Sequence, residues 1–132
     1  MSRKVVSISA DDSLRIVDEI MKLGHVRHLP VVRRGELVGV VSQRDLLRAS
    51  LSNVMGIPSE EQQVFLEGVH IADVMSSPPV SVESGETIQR AAHLMAEGKI
   101  GCLPVLEEGK LVGIVTETDV LRYFAALALP SA

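Results

Sequence analysis

Apolar residues follow two different spacings along the chain, and these spacings predict its elements. Leu14 and Val17 belong to a series that recurs every three or four positions, which is typical of an amphipathic helix. Ahead of that helix, Val5–Ile8 predicts a short strand. After it, the nearly continuous apolar runs 28–32 and 37–41 predict the two strands of a hairpin. The buried face of the helix is expected to contain Leu14, Val17, Ile20 and Met21.

The same order of elements returns 74 positions later, without a gap. Between Met1–Arg48 and Met75–Arg122, 17 of 48 aligned positions are identical, against about three or four expected by chance. The second copy predicts a strand at Val80–Val82 and a hairpin from the runs 102–106 and 111–115. Its helix face is expected to contain Ile88, Ala91, Leu94 and Met95.

Two copies of a β-α-β-β-α unit predict a fold of the α+β class. We expect repeat one to occupy residues 1–50, a helical connector 51–70, and repeat two 71–129. Neither copy alone is expected to cover its apolar face, so the two should pack together. Gly24 and Gly98 are predicted to end the first helix of each repeat in the left-handed conformation.

The composition narrows the range of functions. The chain has 132 residues, of which 46% are hydrophobic and 2% aromatic, with a formal net charge of −4. The acidic balance and the scarcity of aromatic side chains argue against binding to nucleic acid. Cys102 is the one cysteine, so no internal disulfide can form, and no apolar run reaches the roughly 18 residues of a membrane-spanning helix. We expect a cytoplasmic protein without a membrane segment.

One motif, Gly-x-x-Ser/Thr-x-x-Asp, stands at the junction between the last strand and the last helix of each repeat. It occupies Gly39–Asp45 and Gly113–Asp119. A serine or threonine followed three positions later by an acid is a common helix start, which would explain a single copy. A binding site is favoured because aspartate is shorter than the usual Glu or Gln of such a cap, and because a glycine within a strand permits close approach. The repetition of the whole motif points the same way.

The chemistry of this motif fits a nucleotide or a nucleoside. Backbone N–H groups and the dipole at a helix N-terminus favour a phosphate, and the hydroxyl of Ser42 or Thr116 adds a donor. The carboxylates of Asp45 and Asp119 follow one turn later, where they would accept hydrogen bonds from vicinal ribose hydroxyls.

Several motifs together make the chain resemble a tandem pair of cystathionine-β-synthase (CBS) domains, also called a Bateman module. They are Asp73-Val-Met75 at the start of the second repeat, Leu-Pro-Val at 29–31 and 103–105, and the two motifs above. The resemblance covers nearly the whole chain outside the connector. It implies two repeats around a pseudo-twofold axis, with two clefts that bind AMP, ADP, ATP or S-adenosylmethionine and with no catalysis or catalytic cofactor.

The resemblance also assigns ligand contacts to positions in this chain. Asp45 and Asp119 would hold ribose hydroxyls, while Ser42 and Thr116 would contact ribose or phosphate. The remaining expected contacts are Lys4, Val5, Pro78 and Pro79 at the adenine edge, Arg27, His28, Gly101 and Cys102 on the phosphate side, Arg44 and Thr118 beside the phosphate path, and the motif glycines Gly39 and Gly113.

The two sets of contacts are not equal in charge. Repeat one supplies Arg27, His28 and Arg44, whereas the corresponding residues of repeat two are uncharged and have only Lys99 nearby as a cation. Because charge-assisted contacts to phosphate are stronger than neutral ones, we expect the site with Asp45 to prefer more phosphates.

Ligand sensing through a homodimer or a regulated partner protein competes with other functions. The last helix, Val120–Leu129, and the helix at Asp45–Leu51 are the candidate dimer faces, and a purely structural dimerisation module with empty clefts is the main alternative. An enzyme is disfavoured because no catalytic constellation is evident. A metal site is disfavoured because His25 and His28 lack convergent partner ligands.

Overall fold

The computed structural model of the chain describes residues 5–51 and 59–127, apart from the side chains at positions 51, 59, 62 and 63. These residues form two compact units. The first unit is Val6–Pro79, and the second begins at Val80 and also includes Val5. Each unit contains a three-stranded sheet and its helices, so the predicted α+β class and the repeated β-α-β-β-α order are confirmed.

The elements correspond closely between the units. The first unit contains β1 (Ile8–Ser9), α1 (Leu14–Gly24), β2 (His28–Arg33), β3 (Glu36–Ser42), α2 (Gln43–Leu51), α3 (Ser59–Glu67) and a 3-10 turn at Ile71–Asp73. The second contains β4 (Val82–Glu83), α4 (Ile88–Gly98), β5 (Cys102–Glu107), β6 (Lys110–Thr116) and α5 (Glu117–Ala126). The last helix begins at Glu117, directly after Thr116, where the motif predicts its start. Positions 128 and 129 of the candidate dimer face Val120–Leu129 lie outside the described residues.

Both sheets have the same topology, with β2 or β5 in the centre. The first strand is parallel to the central strand and the third is antiparallel to it. The strands predicted at Val5–Ile8 and Val80–Val82 were wrong in extent, because β1 and β4 contain only two residues each. The parallel ladder stops where the central strand reaches Pro30 or Pro104, because proline has no N–H to donate.

The predicted helix faces form the cores. In the first unit, Leu14 and Val17 are fully buried against Leu29 and Val31 of β2, Met21 is buried, and Ile20 packs beside them. In the second unit the core cluster contains Ala91 and Met95 of α4 and Val82, Leu103, Val105 and Val115 of the sheet, with Ile88 and Leu94 packed against it. Both predicted faces are therefore confirmed.

The helix ends differ from the prediction by one residue. Gly24 and Gly98 are the last helical residues, and the left-handed positions are His25 and Lys99, at φ 52° and 53°. The prediction for the glycines was wrong because sequence pattern locates a helix end only to within a residue or two.

The connector packs onto the first unit. Helix α3 lies against α1, where the Arg15 guanidinium pairs with the Glu67 carboxylate. The Leu14 N–H donates to the Val69 carbonyl at 2.9 Å, and Ile71 is fully buried. Helix α5, in contrast, has no buried residue. Among the described residues, no helix combines the length and the apolar character that crossing a bilayer requires.

Candidate functional site

The motif of the first unit forms a closed set of hydrogen bonds where β3 meets α2. The backbone N–H and the hydroxyl of Ser42 both donate to Asp45 Oδ2, at 2.8 and 2.9 Å. The Asp45 N–H donates back to Ser42 Oγ at 3.1 Å. Both residues are half-buried. The aspartate is therefore held in one orientation by its own helix start.

The second unit repeats this arrangement. The Thr116 N–H and hydroxyl donate to Asp119 Oδ2 at 2.8 and 3.1 Å, and the Asp119 N–H donates to Thr116 Oγ1 at 3.3 Å. This is a capping box, so an aspartate, although shorter than the usual Glu or Gln, reaches its cap residue, and its length does not argue against a helix start. The reciprocal bond satisfies orphan donors of the first turn, so the helix-start interpretation is realised in both copies.

The capping box leaves part of each carboxylate for other partners. The side-chain hydrogen bonds that the structure gives for Asp45 and Asp119 all use Oδ2, so within the described residues Oδ1 accepts none. A carboxylate has about four lone-pair positions over its two oxygens. Capping and ligand binding are therefore compatible at the same residue.

Residues 75 and 76 of the same unit leave no room for a side chain at Gly39. A Cβ at this position would lie 2.6 Å from Met75 Sδ and 2.8 Å from the Ser76 carbonyl oxygen. Ser76 lies beside β3 there in an isolated antiparallel bridge and forms two backbone hydrogen bonds with Val40, at 2.8 and 3.1 Å. The close approach expected at the glycine is thus made by residues 75–76. The sequence pattern does not place these residues there, although a glycine in an otherwise β-branched strand signals that something approaches closely.

The structure brings the expected cationic residues of repeat one to the motif. His28 is the register partner of Ser42 across β2 and β3, and the Gln43 N–H donates to the Arg27 carbonyl at 2.8 Å. Arg27 and Arg44 are exposed. Pro78 and Pro79 belong to this same unit, with Pro78 exposed and Pro79 half-buried, although they follow the connector in sequence.

The second unit has the same backbone and a different chemistry. Cys102 is the register partner of Thr116, and the Glu117 N–H donates to the Gly101 carbonyl at 3.1 Å. Burial raises the pKa of the Cys102 thiol to about 12, which fits a core residue and not a reactive one. Thr118 is exposed, Gly113 is buried and Val5 belongs to this unit; Lys4 lies outside the described residues.

Over residues 5–51 and 59–127, no group of three or more His, Cys, Asp and Glu side chains has a metal-binding arrangement.

The chain belongs to the CBS domain family. The family model for the CBS domain matches residues 1–52 and 71–126. A CBS domain-containing protein of Dictyostelium discoideum is 32% identical over 123 residues, which span 92% of this chain and 85% of that protein. The chain spans less than half of some other curated relatives, such as 45% of protein MJ1225 of Methanocaldococcus jannaschii, which is 30% identical over 127 residues.

Solved structures share the fold. The chloroplastic CBS domain-containing protein CBSX2 of Arabidopsis thaliana, solved in complex with AMP, matches with a TM-score of 0.74 and 30% identity, over 92% of this chain and 88% of that one.

Proposed function

We propose that this chain is a regulatory module that binds an adenosine-containing ligand and catalyses no reaction itself. The observation that carries the proposal is the paired capping motif, which in both units fixes an aspartate through Oδ2 and leaves Oδ1 for the hydroxyls of a ribose. The helix N-terminus beside it favours the ligand's phosphate. The candidate ligands are AMP, ADP, ATP and S-adenosylmethionine.

The relatives support this class of ligand. CBSX2 was solved with AMP, and its identity to this chain is 30% over most of both chains. The proposed contacts of the first unit are Arg27, His28, Gly39, Ser42, Arg44, Asp45, Pro78 and Pro79; those of the second are Val5, Gly101, Cys102, Gly113, Thr116, Thr118 and Asp119. Lys4, which lies outside the described residues, is proposed as a further contact. We propose that the first set prefers more phosphates, since Arg27 and Arg44 have uncharged counterparts in the second.

Calorimetry with the four candidate ligands tests the proposal. Asp45→Asn and Asp119→Asn keep an oxygen that can accept the capping bonds but remove the charge that a ribose would meet. We expect each change to weaken binding at its own site about tenfold, because hydrogen bonds to a charged group are the stronger ones. Asp12→Asn is the matched control, since Asp12 Oδ2 accepts from the Ser9 N–H at 3.1 Å in a similar local turn. Equal affinities for all three variants and the wild type would contradict the proposal.

A second candidate function is dimerisation with empty sites, and exposed apolar side chains favour it. Leu121 and Phe124 of α5 are 67% and 58% exposed, and Leu47 of α2 is 53% exposed. Exposed apolar clusters on helices commonly mark interfaces. Light scattering should show a dimer that Phe124→Asp dissociates. If the chain is a dimer but no ligand raises its unfolding temperature, the structural function replaces the sensing one; saturating ligand at a hundred times its Kd should add about 2.7 kcal/mol.

A further inference from the structure

The hairpin turns of the two repeats carry opposite charges at matching positions. The turn between β2 and β3 is Arg33-Arg-Gly-Glu36, and the turn between β5 and β6 is Glu107-Glu-Gly-Lys110. Each arginine of the first turn corresponds to a glutamate of the second, and Glu36 corresponds to Lys110. The repeats therefore share charged side chains at three turn positions and differ in sign at all three.

The backbone of the two turns is the same. Each is a two-residue connection, across which Arg33 pairs with Glu36 in the first turn and Glu107 with Lys110 in the second. The central residues have φ of 53° and 81° in the first turn, and of 51° and 80° in the second. Positive φ at both central positions is what a type I′ hairpin turn requires. The inverted charges are therefore attached to equivalent backbones.

The local structure does not explain the charge at the first central position, which is Arg34 or Glu108. A left-handed backbone is uncommon for residues other than glycine and favours asparagine or aspartate, so a turn of this type prefers Asn-Gly. Pairing of opposite charges across the strands explains Arg33 and Glu36, but it does not involve the central residues. Arg34 and Glu108 are exposed, and within the described residues neither forms an ion pair. A partner outside the turn would explain both side chains.

The neighbouring residues leave these charges accessible. Arg33 Nη2 lies 3.9 Å from Asp11 Oδ1, and both side chains are well exposed, so this pair contributes little. Beside the acidic turn, the Ser84 hydroxyl donates to Glu107 Oε1 at 3.4 Å. Glu83 is exposed and is the register partner of Leu106, next to the turn. The second turn is therefore extended by a further acid.

We propose that the basic turn of one copy of this chain binds the acidic turn of a second copy, with Arg34 of one copy paired to Glu108 of the other. A second copy is favoured over an unrelated charged partner because the complementary charges occur on equivalent turns of the same chain. Two turns bury little surface, so the association is weak and sensitive to salt. It uses none of the proposed ligand contacts and neither of the apolar helix faces.

The test compares turn variants of the whole chain by sedimentation equilibrium at low salt. Arg34→Asn and Glu108→Asn give the turns their preferred Asn-Gly sequence, so urea denaturation should show no loss of stability. We expect these variants to raise the Kd for self-association about threefold, and the charge reversals Arg34→Glu and Glu108→Arg to raise it about tenfold. Arg90→Glu and Glu97→Arg change the net charge equally at exposed positions of α4 and should leave the Kd unchanged.

Mixing the two reversed variants separates turn pairing from any other interface between copies. Arg34→Glu has two acidic turns and Glu108→Arg has two basic ones, so each variant repels its own copies. The mixture should associate at least as tightly as the wild type, and a chain with both reversals should regain the wild-type Kd. Raising the salt from about 0.01 M to about 1 M shortens the Debye length from about 30 to 3 Å and should weaken the association of the mixture.

Three results would overturn the proposal. One is a chain that stays monomeric at every concentration. Another is an equal Kd for the wild type, Arg34→Glu and Arg90→Glu. The third is a mixture of the reversed variants that contains mixed dimers only in the statistical proportion of one half, as expected if α5 alone joined the copies.

Discussion

The two repeats share a backbone to a fine level of detail and differ in the side chains around one motif. Their hairpin turns have matching left-handed residues, Arg34 at φ 53° and Glu108 at φ 51°. The two capping boxes use the same atoms, and the same backbone bond joins the start of the last helix to the residue before the central strand. The shared backbone thus depends on a few positions in each repeat, and the side chains at the other positions can differ between the repeats.

The repeats differ mainly at positions where the backbone conformation and its hydrogen bonds do not require a particular side chain. Gly35 and Gly109 both have φ near +80°, which favours glycine and explains their identity. By contrast, Arg27 and Gly101 offer only a carbonyl to the local structure, so their side chains are free to differ. If the proposed contacts are right, the two repeats keep the aspartates proposed to face a ribose and differ in the residues proposed to set the phosphate preference.

The largest expected effect tests whether the two cores are equivalent. Leu29 and Leu103 occupy matching positions of the central strands, and both are fully buried. We expect Leu29→Ala and Leu103→Ala each to lower the free energy of unfolding by about 2–5 kcal/mol, measured by urea denaturation. Leu23→Ala, at a residue that is 85% exposed, is the control and should change little. A small cost for only one of the buried leucines would show that the sheets are not equivalent.

The next effect tests the close contact between Gly39 of β3 and Ser76. Gly39→Ala places a methyl group 2.8 Å from the Ser76 carbonyl oxygen, which has to shift. We expect a loss of about 1–3 kcal/mol in the free energy of unfolding, as for other overpacked sites. Gly24→Ala adds the same methyl with its nearest neighbour at 3.8 Å and should cost nothing. Equal stabilities of the two variants would contradict the close contact between Gly39 and Ser76.

A smaller effect tests the two capping boxes against each other. Ser42→Ala and Thr116→Ala remove the hydroxyl that accepts from the aspartate N–H. We expect each to cost about 0.5–2 kcal/mol, the usual range for a lost N-cap. Ser84→Ala removes an exposed hydroxyl outside any helix cap and should be near neutral. Urea denaturation of all three variants would reveal unequal caps.

The smallest effect concerns Cys102, the counterpart of His28. Because burial raises its pKa to about 12, almost none of it is thiolate near neutral pH. We expect an aromatic disulfide reagent to leave the folded chain unmodified and to label it fully in denaturant. Fast labelling of the folded chain would show that this position is open to solvent, and would make the second site more similar to the first.

Much of the fold could be predicted because each repeat is built from local patterns. The helical spacing of Leu14 and Val17, and the apolar runs around a turn, fixed the helices and hairpins. The two-residue β1 could not be predicted, since its length depends on the missing N–H of Pro30 in another strand. Likewise, the motif indicated that Gly39 and Asp45 matter, but only the folded chain shows that Ser76 covers the glycine and that the carboxylate caps its own helix.

The bridge between Ser76 and Val40 shows that the sequence repeat and the compact unit have different boundaries. The residues that repeat begin again at Met75, yet Ile71 to Pro79 complete the first compact unit. A gene fragment that ended at residue 52, where the first family match ends, would encode a protein without the fully buried Ile71 and without the backbone partner of Val40. An ancestral protein with a single repeat would therefore have needed a second chain to supply the segment that pairs with Val40 of β3.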